Sequence, residues 1–138
     1  MVRGSCLCRG IQFEATEAPA IAICQCSMCR NGSGALFGLG AAVPSANFKL
    51  IEGADLIQVY ESSPGTRRAF CRVCGSRAPS ESSDGKFYFI PAGLLDDHPG
   101  VKPALHMFVG SKAPWWEITD DLPQFEEWPP GYGPDEPK

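Results

Sequence analysis

Three cysteines within six residues, Cys24-Gln25-Cys26-Ser27-Met28-Cys29, constrain this chain more than any other feature. The other four cysteines also come as close pairs, Cys6 with Cys8 and Cys71 with Cys74, the latter followed by Gly75. Thiolates are soft ligands, and groups of them at such short spacings select zinc or iron–sulfur clusters over hard cations. A chain carrying these groups must fold so that each group converges on an ion. Seven cysteines leave one unpaired in any disulfide framework, and residues 1–5 run into the first pair with no apolar signal region. The expectation is a reducing compartment, by default the cytoplasm, where thiols stay free to hold metal.

The segment Cys71-Arg72-Val73-Cys74-Gly75 has the spacing of a zinc knuckle, in which a tight turn faces both sulfurs toward one ion and the glycine takes a left-handed backbone. Closing a tetrahedral shell takes two more thiolates. Cys6 and Cys8 supply a matching pair, because side chains two apart on an extended backbone share a face. Joining the two pairs closes a loop of about sixty residues, and metal binding in the folded state offsets that entropy. Cys24, Cys26 and Cys29 then remain as three ligands, which leaves one coordination position for water or substrate, as in catalytic rather than structural zinc sites. His98, His106 or an acidic residue could instead complete that shell, and spacing alone leaves other groupings open, since any two groups can meet in space. An iron–sulfur cluster fits less well, because a quartet and a triplet match neither common ferredoxin spacing.

The pattern between the cysteines is that of a mainly β chain. Gly4-Ser5-Cys6 to Ile11-Gln12-Phe13-Glu14-Ala15 reads as a hairpin turning near Arg9-Gly10. Further strands are expected over residues 20–23, 35–43, 48–51, 56–60, 86–90 and 104–109, separated by Gly, Pro, Ser and Asn, with residues 66–70 carrying the chain to the Cys71 knuckle. Ser27 reads as the cap of a single helical turn that Asn31-Gly32-Ser33-Gly34 stops. Fifteen glycines and thirteen prolines work against any long helix. At 138 residues with 43% hydrophobic content, one domain over residues 1–128 is expected, with a disordered tail over 129–138. The net charge of -4 provides no basic footprint for nucleic acid, and the longest weakly polar run, residues 34–44, is about half of what a membrane helix needs.

Four blocks of the sequence resemble the glutathione-dependent formaldehyde-activating enzyme family: Gly4-Ser5-Cys6-Leu7-Cys8; Cys24-Gln25-Cys26-Ser27-Met28-Cys29-Arg30; Phe70-Cys71-Arg72-Val73-Cys74-Gly75-Ser76; and His106-Met107-Phe108-Val109-Gly110-Ser111-Lys112-Ala113-Pro114-Trp115 followed by Asp121-Leu122-Pro123. The resemblance implies a β-tent fold of short antiparallel sheets, a structural zinc on Cys6, Cys8, Cys71 and Cys74, and a catalytic zinc on Cys24, Cys26 and Cys29. It also implies the family reaction, a carbon–sulfur lyase chemistry that joins glutathione to formaldehyde as S-(hydroxymethyl)glutathione. Many members carry histidine where this chain has Gln25, a side chain that cannot shuttle a proton.

The leading expectation is an enzyme that adds a small thiol such as glutathione to a small aldehyde at the three-cysteine zinc, because zinc holds a thiol as its nucleophilic thiolate. A non-enzymatic zinc-binding module with a chaperone-like or partner-binding role is the rival. A thiol redox protein using Cys71 and Cys74 is a third class. Arg30, Arg67, Arg68 and Lys112 are candidates to grip substrate carboxylates, with solvated surface charge as the default. His106 lies in an apolar strand, where a hydrogen-bonded packing histidine is the commoner role. Trp115, Trp116 and Trp128 read as core or lid.

Overall fold

Alternating and β-branched runs bounded by turn residues build the chain's elements, in a computed structural model that describes residues 1–16 and 20–132. In chain order these are β1 (Val2–Ser5), β2 (Gln12–Ala15), β3 (Ile21–Cys24), α1 (Ser27–Ser33), β4 (Gly38–Pro44), β5 (Phe48–Glu52), β6 (Ile57–Ser63), β7 (Thr66–Cys71), β8 (Arg77–Ala78), β9 (Ser80–Glu81), β10 (Phe87–Pro91) and β11 (Pro103–Met107). The chain is mainly β, in short antiparallel sheets with one α-helix among the described residues, as expected. It forms two compact units, each drawn from two stretches of sequence: Met1–Ile21 with Gly40–Lys102, and Ala22–Leu39 with Pro103–Lys138.

In the first unit, β1 pairs with β2 as the expected hairpin, Val2 opposite Ala15 and Ser5 opposite Gln12, and β2 pairs in turn with β5. A second hairpin joins β6 to β7, with Ile57 opposite Cys71, and β8 adds to β7. β10 lies between β4 and β9, with Ile90 opposite Ala41. Two clusters fill the unit. Phe13, Ala15, Val43 and Ile90 pack with Phe48, Leu50, Leu94 and Leu95, and Phe48 stacks between Phe13 at 5.7 Å and Tyr88 at 4.0 Å. Ile11, Ala69 and Ala78 pack with Cys6 and Cys71 themselves, so two of the expected metal ligands are core residues.

In the second unit, β11 hydrogen-bonds to β3. The irregular segment after β11 folds back along it: His106 N–H donates to Pro123 O at 2.8 Å, and Phe125 N–H donates to His106 O at 2.9 Å. β11 stops two residues short of the expected Val109, because Phe108 takes a left-handed conformation, φ 55°. Its ring meets Trp128 edge-on at 5.1 Å, and Phe37 packs against Trp116. β4 begins at Gly38 rather than Ala35 because the helix exit occupies the intervening residues, Gly34 being its left-handed cap and Ser33 Oγ accepting Ala35 N–H. Residues 129–132 form a turn closed by Tyr132 N–H on Pro129 O, whereas 133–138 of the expected tail lie outside the described residues.

Candidate metal centres

The sulfurs of Cys6, Cys8, Cys71 and Cys74, all in the first unit, lie within 4.8 Å of one another. Cys6 Sγ is 3.5 Å from Cys8 Sγ, and Cys8 Sγ is 3.9 Å from Cys71 Sγ. Zinc–sulfur bonds of about 2.3 Å set a tetrahedral edge of about 3.8 Å, so this donor set fits zinc in both chemistry and spacing. Two tight turns hold it. In the first, Cys6 N–H donates to Ile11 O and Arg9 N–H to Cys6 O, with Arg9 at φ 61°; Ile11 N–H also donates to Cys6 Sγ at 3.3 Å. In the second, Gly75 N–H donates to Cys71 O, and Gly75 takes the left-handed conformation its position demands, φ 74°. Ser76 joins the turns: its Oγ accepts Leu7 N–H at 3.0 Å and lies 3.3 Å from Cys74 Sγ.

Neighbouring groups shift two of these thiols in opposite directions. The Gly10 N–H pulls Cys8 down, but Cys6, burial, Cys74 and Cys71 outweigh it and leave Cys8 pushed up to about 11. The Ser76 hydroxyl and N–H pull Cys74 down to about 5. A divalent cation held by the four sulfurs would favour their thiolate forms.

Cys24, Cys26 and Cys29, all in the second unit, form the other group, with sulfurs also within 4.8 Å of one another. Cys24 ends β3, Cys26 caps α1, and Cys29 lies in its first turn. The cap is Cys26, not the expected Ser27: Cys26 is extended, φ -64° and ψ 153°, and its Sγ accepts Cys29 N–H at 3.3 Å. The helix is correspondingly longer than one turn, and only Gly34 of the expected stop lies beyond it. Contact with the Cys29 thiol, then burial, pushes Cys24 up. All three cysteines are half-buried, and among the described residues no histidine or carboxylate joins them. Gly38 makes room: a Cβ there would sit 3.0 Å from Cys29 Cβ and 3.3 Å from its Sγ.

His106 is a buried, hydrogen-bonded side chain, with Nδ1 3.2 Å from Gln25 Nε2 and Nε2 3.0 Å from both Asp120 oxygens. Both ring nitrogens are thereby engaged. His106 lowers the Asp120 carboxyl from its ordinary value, helped by Leu122 N–H. Sequence reading missed Gln25 as an anchor and Asp120 altogether, because these partners lie 81 and 14 residues from His106. His98 is exposed in the first unit, and its Nδ1 accepts Gly100 N–H. Arg30 Nη2 donates to Ser111 O, and Lys112 Nζ donates to Trp116 O at 2.6 Å, so both cations serve backbone carbonyls of the second unit. Arg67 and Arg68 belong to the first unit, where Arg68 Nε donates to Ser62 Oγ. Trp115 is 76% exposed and is not core.

A sequence model of the family described as "Glutathione-dependent formaldehyde-activating enzyme" matches residues 1–111, and so takes in all seven cysteines. The chain belongs to this family. A protein of Schizosaccharomyces pombe named an uncharacterized lyase is 31% identical over 67% of this chain and 66% of its own length. Two proteins named putative glutathione-dependent formaldehyde-activating enzymes are also similar. That of Sordaria macrospora is 36% identical over 38% of this chain and 22% of its own length, and that of Aspergillus terreus 29% identical over 64% and 48%. The chain thus spans about a fifth to two thirds of the relatives it matches. A crystal structure of a Rhodobacter sphaeroides protein shares the fold, with a TM-score of 0.58 at 22% identity over 73% of this chain and 91% of that one. Asp120 lies beyond the span that the formaldehyde-activating family model matches. No helix among the described residues is long and apolar enough to cross a membrane.

Proposed function

We propose that this protein is a zinc-dependent carbon–sulfur lyase that adds a small thiol, of the glutathione type, to a small aldehyde such as formaldehyde. The observation that carries the reading is the convergence of three half-buried sulfurs with no histidine, carboxylate or further cysteine beside them among the described residues. Cys6, Cys8, Cys71 and Cys74 would hold a structural zinc, and Cys24, Cys26 and Cys29 a catalytic one. Zinc bound by the triplet supplies a positive charge that keeps a substrate thiol in its thiolate form at neutral pH. In the reaction the thiolate sulfur forms a bond to the carbonyl carbon, the C=O π pair moves to oxygen, and that oxygen takes up the proton the thiol gave up. No oxidant or reductant enters.

The chain's own residues have two tasks. The β3–α1 corner presents the sulfurs, with the Cys29 N–H orienting Cys26. Gly38 keeps the space beside Cys29 free of side chain. Support for the substrate class comes from the family and from relatives named for glutathione and formaldehyde. The test is exchange NMR of glutathione with formaldehyde, which reads formation and breakdown of the hemithioacetal. The zinc-loaded protein should accelerate exchange above background, and Cys26→Ser should abolish the acceleration while keeping one zinc per chain. No acceleration by a protein carrying two zinc ions would refute the reading for this pair of substrates.

A further inference from the structure

Gln25 is fully buried between two cysteines of the triplet, yet its side chain points to a histidine rather than to apolar neighbours. The chemistry of that contact is fixed from its far end. Both oxygens of Asp120 lie 3.0 Å from His106 Nε2, and an ionised carboxylate can only accept, so Nε2 carries the proton. With the proton on Nε2 alone, Nδ1 holds a lone pair and the Gln25 amide nitrogen 3.2 Å away donates to it. The main chain of Gln25 is tied to the same strand: its N–H donates to Met107 O at 2.9 Å. β11 therefore grips Gln25 by backbone and side chain together, and the residues on either side of it are Cys24 and Cys26.

That grip carries a penalty. Gln25 Oε1 is buried with no hydrogen-bond partner among the described residues, a cost that an apolar side chain of the same size would not carry. Packing alone would be better served by leucine. We infer that His106, oriented by Asp120, is the positioning residue of the cysteine triplet, setting through Gln25 the separation of the Cys24 and Cys26 sulfurs and with it the hold of the triplet on its metal. The inference rests on the triplet being a metal site, as proposed above. Partners at this remove orient a ligand without touching the ion, and their loss typically costs about 10- to 100-fold in metal affinity or activity.

The full-length chain tests this in two ways. With only two histidines, ring-nitrogen NMR of the zinc-loaded protein reads the tautomer of His106 directly, and the Nε2–H form is expected. Competition for cobalt or zinc against a chromophoric chelator then reads the weaker of two metal equivalents. Gln25→Leu should weaken that equivalent by about 10- to 100-fold and shift the cobalt ligand-field bands, leaving the tighter equivalent and the thermal midpoint as in the parent. Gln25→His, which restores a ring N–H donor, should recover most of the loss. Asp120→Asn, at a half-exposed position, should give a smaller loss in the same direction. A proton on Nδ1, or parent-like affinity in both Gln25→Leu and Asp120→Asn, overturns the inference. A parent chain that binds a single equivalent overturns the enzyme reading and this one with it, whereas two equivalents insensitive to both variants overturn this one alone.

Discussion

Replacing Gly38 by alanine tests how tightly the triplet is held. The added Cβ would sit 3.0 Å from Cys29 Cβ, 3.3 Å from its Sγ and 3.9 Å from its Cα, and these are its nearest neighbours. Carbon atoms pack best at about 3.5–4.0 Å, so Cys29 must retreat by about 0.5 Å. Metal–ligand distances tolerate only about 0.2 Å. Relieving such overpacking costs about 1–3 kcal/mol, which at about 1.4 kcal/mol per decade weakens metal binding about 5- to 150-fold. The chelator competition described above measures this for each equivalent separately. Only the triplet's equivalent should weaken, because the three atoms nearest the new carbon all belong to Cys29. Gly93→Ala is the control, with nothing within 4 Å of its added carbon. Parent affinity in Gly38→Ala would show that Cys29 has slack, and would refute the idea of a rigid three-point site.

Two further outcomes follow from the first unit. Cys71 is fully buried in a core cluster, so Cys71→Ser, or removal of metal by a strong chelator, should lower the thermal midpoint by at least about 10 °C, read by calorimetry; an unchanged midpoint would mean the four sulfurs are not a structural site. Asp97 is held down at about 2, against an ordinary 3.8, by the side chain of Arg3 and then its N–H. Its folded value is the depressed one, so its contribution to stability is complete above about pH 3.8 and lost as pH falls through about 2. Denaturant titrations of Arg3→Met against the parent should therefore differ by a constant amount above that window and converge below it. A difference that persists into strong acid would refute the assignment.

The hairpin around Cys6 and Cys8 and the knuckle at Cys71 to Gly75 were legible because each depends on local spacing, whereas the grouping of the cysteines into four and three followed from the ligand count of a closed tetrahedral shell, with spacing alone leaving other groupings open. Other features depend on distant partners. Ser27 is by type the better cap, but the peptide of Cys26 is the extended one, and the sulfur takes the role. The left-handed backbone of Phe108, which ends β11, has no signal in a residue type that rarely adopts it. β8 and β9, two residues each, are too short to show any alternation. The Gln25–His106–Asp120 chain needs three segments brought together, and a lone histidine in an apolar strand shows only that it must find partners.

The two cysteine groups differ most in what holds their scaffolds. Cys6 and Cys71 sit in a packed cluster with Ile11, Ala69 and Ala78, so most of the order that their site requires is supplied by the core. α1, by contrast, is seven residues long and has no buried side chain. A helix that short is marginal alone, and with no fully buried side chain it gains little from packing. Its ends are fixed by the Cys26 cap and Gly34, and its flank by Arg30 on Ser111. An ion held by Cys24, Cys26 and Cys29 would be the strongest tie between this helix and β3, and part of its binding energy would go into ordering the helix. The triplet should therefore bind its metal less tightly than the quartet. A site whose fourth ligand must arrive as substrate and leave as product tolerates that difference, because turnover requires exchange at the ion while the fold requires none.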